Sequence, residues 1–77
     1  MEEFLRYVIG SLVESPEQVV FKKTETPGRT VFLVGAKPSD MARIVGKGGH
    51  TIRALRTLLA ASARKRNQLA FLELIEP

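Results

Sequence analysis

The chain has 77 residues, no cysteine and a net charge of +4. One small domain is therefore expected over residues 1–77, and disulfides, thiol catalysis and cysteine-ligated metals are excluded. The acidic Met1-Glu2-Glu3 start lacks the basic region of a signal peptide, and no apolar run approaches the roughly 20 residues that cross a membrane, so a cytoplasmic protein without a membrane partner is predicted.

The first half of the chain is predicted to form a helix and a β-hairpin. The helix is indicated by apolar residues at helical spacing, namely Phe4, Leu5, Val8, Ile9 and Leu12. Ser15-Pro16 should end it. Val19 to Glu25 and Thr30 to Ala36 are rich in β-branched and aromatic residues and predict two strands. Thr26-Pro27-Gly28-Arg29 has Pro and Gly where a type II turn requires them, so the two strands should pair antiparallel.

The second half is predicted to form two helices and a strand. Pro38-Ser39-Asp40 supplies an N-terminal proline and a capping residue for a short helix that ends near Val45. A longer helix is predicted from His50 to Arg66, and Asn67 should end it. A strand is predicted from Gln68 to Glu76. The order α-β-β-α-α-β indicates an α+β fold with three helices on one face of a three-stranded sheet. Two helices join the second and last strands, which can therefore pair in parallel and make the sheet mixed.

Positive charge is concentrated in the second half of the chain. Residues 37–66 carry a net charge of +7, whereas residues 1–20 carry −3. Phosphate neutralisation supplies most sequence-independent affinity for nucleic acids, so this asymmetry favours a polyanion-binding face. A solvated helix surface is the alternative explanation.

Gly46-Lys47-Gly48-Gly49 interrupts the apolar helical pattern with a short turn that carries a positive charge. Glycine lets a backbone approach a ligand closely. The amides of Lys47, Gly48 and Gly49 are expected to point outward at the start of the third helix, where the helix dipole favours an anion. The turn therefore predicts a phosphate clamp, and the alternative is a helix C-cap at Gly46 followed by a tight connection.

The third helix pairs an apolar face with a basic edge. At about 100° per residue, its apolar face is Ile52, Leu55, Leu59 and Ala63. The basic edge is Arg53, Arg56 and Arg64. Because aliphatic residues at this spacing are ordinarily core, Leu55, Leu59 and Ala63 are expected to be buried, whereas Val45 and Ile52 next to the loop are candidates for a dual role.

Val45 to Ile52 resembles the centre of the KH domain, a Gly-x-x-Gly loop with aliphatic flanks that clamps four nucleotides. With the surrounding elements, nearly the whole chain is similar to the small bacterial single-KH proteins of the KhpA family. The resemblance implies a type II KH topology that binds single-stranded RNA. The bases are expected to lie against an apolar floor made by Ile44, Val45, Ile52 and a central-strand side chain such as Phe32 or Val34. The residues that the resemblance implies for RNA binding are Ile44, Val45, Gly46, Lys47, Gly48, Gly49, His50, Ile52, Arg53 and Arg56.

The same resemblance implies a role as an RNA chaperone or post-transcriptional regulator. It also implies a homodimer, or a heteromer with a larger KH protein of the KhpB kind. Two sequence features bear on such partners. Tyr7 falls on the polar side of the first helix and is a candidate interface residue. Val31 to Val34 is apolar on both faces, so the face away from the core must be shielded, line a groove or serve as a patch for a partner.

Catalysis finds little support in the sequence. The lone His50 has no motif-linked carboxylate or nucleophile, and the loop lacks the spacing of a nucleotide-binding P-loop. No enzyme activity, cofactor, metal or small-molecule substrate is therefore expected. Two other functions stay open: a duplex-DNA reader that places the third helix in a major groove, as in a helix-turn-helix, and a KH scaffold that binds only proteins.

Overall fold

The computed structural model describes residues 1–75. Its elements, in chain order, are α1 (Glu2–Leu12), a 3-10 turn (Pro16–Gln18), β1 (Val20–Thr26), β2 (Arg29–Gly35), α2 (Pro38–Val45), a second 3-10 turn (Lys47–Gly49), α3 (His50–Arg64) and β3 (Leu69–Ile75). This order confirms the predicted α+β class and the sequence α-β-β-α-α-β. Glu76, the predicted end of the last strand, lies outside the described residues.

The sheet has β2 at its centre, antiparallel to β1 and parallel to β3. The predicted mixed sheet is thus confirmed. Gly28 has a φ of 77°, the left-handed conformation that a type II turn requires at this position. The prediction that α3 extends to Arg66 was wrong by two residues, because the amides of Arg66 and Gln68 both donate to the Ala63 carbonyl and close the helix at Arg64.

The core lies between the sheet and the helices. Its buried side chains are Leu5, Ile9, Val13, Phe32, Val34, Ile44, Ile52, Leu55, Leu59, Ala63, Ala70 and Leu72. Alternate residues of a strand point to opposite faces, so Phe32 and Val34 face the helices, whereas Val31 and Leu33 lie outside this core. All three helices therefore pack on one face, as predicted. We call the opposite face, which carries Val31 and Leu33, the open sheet face.

Asp40 ties the segment after α1 to α2. It is fully buried, and its carboxylate accepts hydrogen bonds from the backbone amides of Glu14 (3.0 Å) and Ser15 (3.1 Å) and from Nη1 of Arg43 (3.1 Å). The prediction that a side chain caps α2 was wrong. Within the described chain the helix begins after Lys37 with no side-chain cap, because the Asp40 oxygens are taken by amides of another segment.

We expect Asp40→Asn to lower the melting temperature at pH 7 and to have less effect in acid. The hydrogen bond from the Glu14 amide is the main reason that the pKa of Asp40 lies below its usual range, although burial opposes it. The ionised form therefore stabilises the fold above about pH 4, and this contribution is lost as the pH falls through the native pKa. Thermal melts by circular dichroism between pH 7 and pH 2 would measure the difference.

The matched control is Glu14→Gln, because the exposed Glu14 side chain pairs only with Arg43 among the described residues. This change should shift the melting temperature little at any pH, as is usual for an exposed ion pair. A difference in melting temperature between the wild type and Asp40→Asn that stays constant down to pH 2 would contradict the role given to the carboxylate.

Candidate nucleic-acid interface

The Gly-x-x-Gly loop is a tight turn that depends on backbone conformations that favour glycine. Gly46, Gly48 and Gly49 have φ angles of 77°, 64° and 78°. Gly46 combines its positive φ with a ψ of 169°, a region that is essentially restricted to glycine. A Cβ at Gly46 would lie 2.3 Å from Oγ1 of Thr51, whereas a Cβ at Gly49 would have no neighbour closer than 3.6 Å. Gly46 is therefore the position at which the loop least accepts a side chain.

The loop offers two free backbone amides. The Gly49 amide donates to the Gly46 carbonyl at 3.0 Å, so the prediction that it points outward was wrong. This bond closes the 3-10 turn that leads into α3. Within residues 1–75 the amides of Lys47 and Gly48 have no backbone acceptor and are available to an anion.

Arg53 holds the loop from the first turns of α3. Its Nη2 donates to the Gly48 carbonyl at 3.0 Å. The guanidinium has five N–H donors, so most of them remain for a phosphate. Sequence spacing marked Arg53 as a basic residue near the loop but gave no sign that it positions the backbone of Gly48.

Arg56 lies between α3 and the free edge of β3. Its Nε donates to the Leu72 carbonyl at 3.1 Å, and β3 is an edge strand of the sheet. Spacings of three and eleven residues place Arg53, Arg56 and Arg64 on one side of α3. We call these three residues the arginine flank. It begins at the loop and passes beside the β3 edge.

The aliphatic residues expected to form a floor for bases are mostly inside the core. Ile44 is 0% exposed and Ile52 is 5% exposed. Phe32 and Val34 are also buried, because they face the helices from the centre of the sheet. Val45 is half-buried and has accessible surface beside the loop. Ile44, Ile52, Phe32 and Val34 belong to the core and support the loop and the sheet from within.

The charged groups around the loop differ in how far they are neutralised. Arg43 forms ion pairs with Glu14 and Asp40, whereas Lys47, Arg53 and Arg56 form none in the described part of the chain. His50 is exposed at the start of α3. Within the described residues, Lys47, Arg53 and Arg56 therefore carry unpaired positive charge on the side of the loop and the first turns of α3.

None of the helices within residues 1–75 is long and apolar enough to cross a bilayer. No group of three His, Asp or Glu side chains in these residues is arranged to hold a metal ion.

The element order and the mixed sheet are consistent with one protein family. The KH domain of KhpA and KhpB matches residues 2–74. The chain belongs to the KhpA/KhpB family. The RNA-binding proteins KhpA of Chlamydia caviae, Chlamydia pneumoniae and Listeria monocytogenes are 42%, 38% and 36% identical to it, over 99% of this chain and 97%, 97% and 100% of their own length. No solved structure gives a significant match.

Membership of the KhpA/KhpB family confirms the resemblance noted in the sequence, and the sheet order is that of a type II KH fold. It also confirms the prediction that the chain is not an enzyme, because the KhpA relatives are RNA-binding proteins. The match to the family covers residues 2–74, nearly the whole chain.

Proposed function

We propose that this KhpA/KhpB-family chain acts as a single KH domain over residues 1–77 and binds single-stranded RNA by clamping its phosphate backbone at the Gly46-Lys47-Gly48-Gly49 loop. The observation that carries the proposal is the pair of free amides at Lys47 and Gly48, held by the Arg53 hydrogen bond beside an unpaired lysine. Backbone N–H groups that converge at a helix N-terminus favour an anion. Because the relatives are named RNA-binding proteins, we take RNA as the polyanion that this site binds.

From the loop, the RNA strand continues along the arginine flank. There it passes the free edge of β3, where the Leu72 carbonyl faces Arg56. Because alternate residues of a strand direct their backbone groups to the same side, Ala70 and Leu74 also present N–H and C=O groups at this edge. These backbone groups can form hydrogen bonds with bases. The arginines can form ion pairs with phosphates.

The site should read bases weakly. Phe, Tyr and Trp, on which bases stack in many single-strand binders, are absent from residues 44–56. Val45 offers only a small apolar contact. Phosphate contacts therefore supply most of the affinity, which suits a cytoplasmic RNA chaperone or post-transcriptional regulator with many targets.

A single site of this kind gains useful affinity when it is joined to a second one, because the second binding event becomes intramolecular. The family comprises KhpA and KhpB proteins. We therefore propose a second KH protein as the partner of this chain, either another copy or a KhpB-type protein.

Salt dependence tests the proposed function. If two to four phosphates are engaged, log affinity for single-stranded RNA should fall with log salt at a slope of about −1.5 to −3. Arg53→Ala and Arg56→Ala should each flatten this slope by about 0.7 and weaken all sequences similarly, because each removes one phosphate contact. Fluorescence anisotropy with single-stranded RNA, single-stranded DNA and duplex DNA at several salt concentrations would measure it.

Arg6→Ala is the matched control, because Arg6 lies on α1, pairs with Glu2 and stacks on Phe21. It removes the same charge and should leave the slope unchanged. Duplex DNA that binds as tightly as RNA and with sequence preference would show a helix-turn-helix function instead. Absence of all nucleic-acid binding from a folded protein would leave the protein-interaction function.

A further inference from the structure

Phe71 is an exposed aromatic residue on the strand that borders the arginine flank. It lies between the buried Ala70 and Leu72, so its side chain belongs to the open sheet face, where 37% of the residue is exposed. No strand of residues 1–75 lies on the outer side of β3. The next residue, Leu72, is the one whose carbonyl accepts the hydrogen bond from Arg56. Phe71 and the arginine flank are therefore neighbours around the free edge of the sheet.

Arg29 lies over the Phe71 ring. Its Cζ is 4.7 Å from the ring centroid, which is a cation–π contact. Arg29 is opposite Leu69 in the pairing of β2 with β3, so it is the diagonal neighbour of Phe71. Within residues 1–75 it forms no ion pair. Phe71 and Arg29, which we call the stacking pair, thus combine a ring, a planar guanidinium and an unneutralised positive charge.

The positive charge of the arginine flank continues to this end of the sheet. The Leu69 amide donates to the Gly28 carbonyl at 2.9 Å, which places the hairpin turn against the start of β3. Arg64 and Lys65 lie at the end of α3, just before this strand, and both are exposed and form no ion pair in the described part of the chain. A polyanion that follows the flank away from the loop therefore stays beside cations until it reaches the level of the stacking pair.

Glu73 limits the site on its other side. It lies two residues beyond Phe71 on the same face of β3, which is about 7 Å along the strand. Among the described residues its carboxylate has no cationic partner. A phosphate is repelled by this carboxylate, so a polyanion at Phe71 is directed towards Arg29 rather than further along β3.

We propose that the stacking pair is a second contact site for single-stranded RNA, on which one base of a strand that follows the arginine flank stacks. This proposal rests on the proposed function. Aromatic rings and arginine planes are the groups on which proteins stack unpaired bases. The pair supplies the base contact that residues 44–56 lack. Because every base has a π-face, the added contact raises affinity without selecting a sequence.

The charges of the open sheet face favour RNA over a protein at this site. A protein that covers the face has to supply a counter-charge for each of Lys22, Arg29 and Glu73, because a buried unpaired charge is costly. A single strand touches the face only at its β3 side and leaves Lys22 and Glu73 in water. Its phosphates supply the counter-charge for Arg29.

RNA length tests the proposal. An RNA of about four nucleotides fills the clamp, whereas one of about eight extends to the stacking pair. Phe71→Leu should weaken binding of the longer RNA by at least about 5-fold, the loss expected when a base loses its aromatic partner, and should leave the shorter RNA unaffected. Arg29→Lys keeps the charge but removes the guanidinium plane, so it should act in the same direction. Fluorescence anisotropy would measure both affinities, and thermal denaturation the fold.

Phe4→Leu is the matched control, because Phe4 is an exposed aromatic residue on α1, away from β3. It removes the same ring and should leave the affinity for both RNAs unchanged. A loss for the longer RNA that is equal in Phe4→Leu and Phe71→Leu would overturn the proposal.

Tryptophan fluorescence gives a second readout, because the chain contains no Trp. Phe71→Trp places a single indole in the stacking pair and keeps a ring for the base. Its emission should change when the longer RNA binds and stay constant with the shorter one. The emission of Phe4→Trp should respond to neither RNA. An emission of Phe71→Trp that the longer RNA leaves unchanged would also overturn the proposal.

The variant Lys47→Asp/Gly48→Asp, which puts two carboxylates in the loop, separates this proposal from the proposed function. If it loses the shorter RNA while Phe71→Leu binds the longer one like the wild type, the clamp stands and the stacking pair fails. If it binds both RNAs like the wild type while Phe71→Leu is weakened, the stacking pair stands and the clamp fails. A wild-type protein that binds neither RNA would overturn both.

Discussion

Replacing Lys47 and Gly48 together by Asp should abolish RNA binding while the fold persists. The change removes the unpaired ammonium and puts two carboxylates beside the two free amides of the loop. Loss of one charge-assisted contact together with new repulsion costs about 3 kcal/mol or more, which is about a 100-fold loss of affinity. Fluorescence anisotropy with a short single-stranded RNA would measure the affinity, and circular dichroism the fold.

The matched control is Lys47→Asn/Gly48→Asn, which has the same shape without the negative charges. Gly48 has a φ of 64°, and a Cβ there would lie 3.2 Å from Cδ2 of His50. Asp and Asn tolerate this conformation at a cost of about 1 kcal/mol, so both variants should melt roughly 4–8 °C lower. RNA binding that is equal in the two variants would contradict a clamp that acts through charge.

Gly46→Ala should cause the largest loss of stability among single changes in the loop. A Cβ at Gly46 would lie 2.3 Å from Oγ1 and 2.7 Å from Cβ of Thr51, and its nearest backbone atom is the Thr51 nitrogen at 3.0 Å. The backbone conformation adds strain, and together these effects should cost about 3 kcal/mol or more. Thermal denaturation should then show a melting temperature lower by at least roughly 12 °C.

Gly49→Ala is the matched control, because Gly49 has the same positive φ but a more open neighbourhood. It should lose only about 1 kcal/mol from the left-handed conformation. Equal destabilisation by the two substitutions would show that φ alone matters and that the contact with Thr51 does not constrain the loop.

Much of the fold follows from local patterns in the sequence. The Pro27-Gly28 pair specifies the hairpin turn, and β-branched runs on either side specify its strands, so β1 and β2 could be placed from sequence within a few residues. The core face of α3 follows from its helical spacing in the same way. The end of α3 at Arg64 was less predictable, because the Ala63 carbonyl closes the helix before Asn67 is reached.

The details of the candidate site depend on tertiary packing that periodicity does not encode. Pro38-Ser39-Asp40 looked like a helix start with a capping residue, yet the Asp40 carboxylate accepts hydrogen bonds from the amides of Glu14 and Ser15, some 25 residues away. Ile44 and Ile52 looked like a surface floor beside the loop but are buried beneath it. The bond from Arg53 to the Gly48 carbonyl depends on the path of the loop, which three glycines with positive φ create.

The most direct test of the clamp is to follow the backbone amide resonances of the protein during titration with a short single-stranded RNA. The account predicts that the amides of Lys47 and Gly48 show the largest shifts, followed by residues of the arginine flank. These shifts should persist in Lys47→Asn/Gly48→Asn and vanish in Lys47→Asp/Gly48→Asp. Shifts that leave the loop unchanged and concentrate on α1 or on the open sheet face would contradict it.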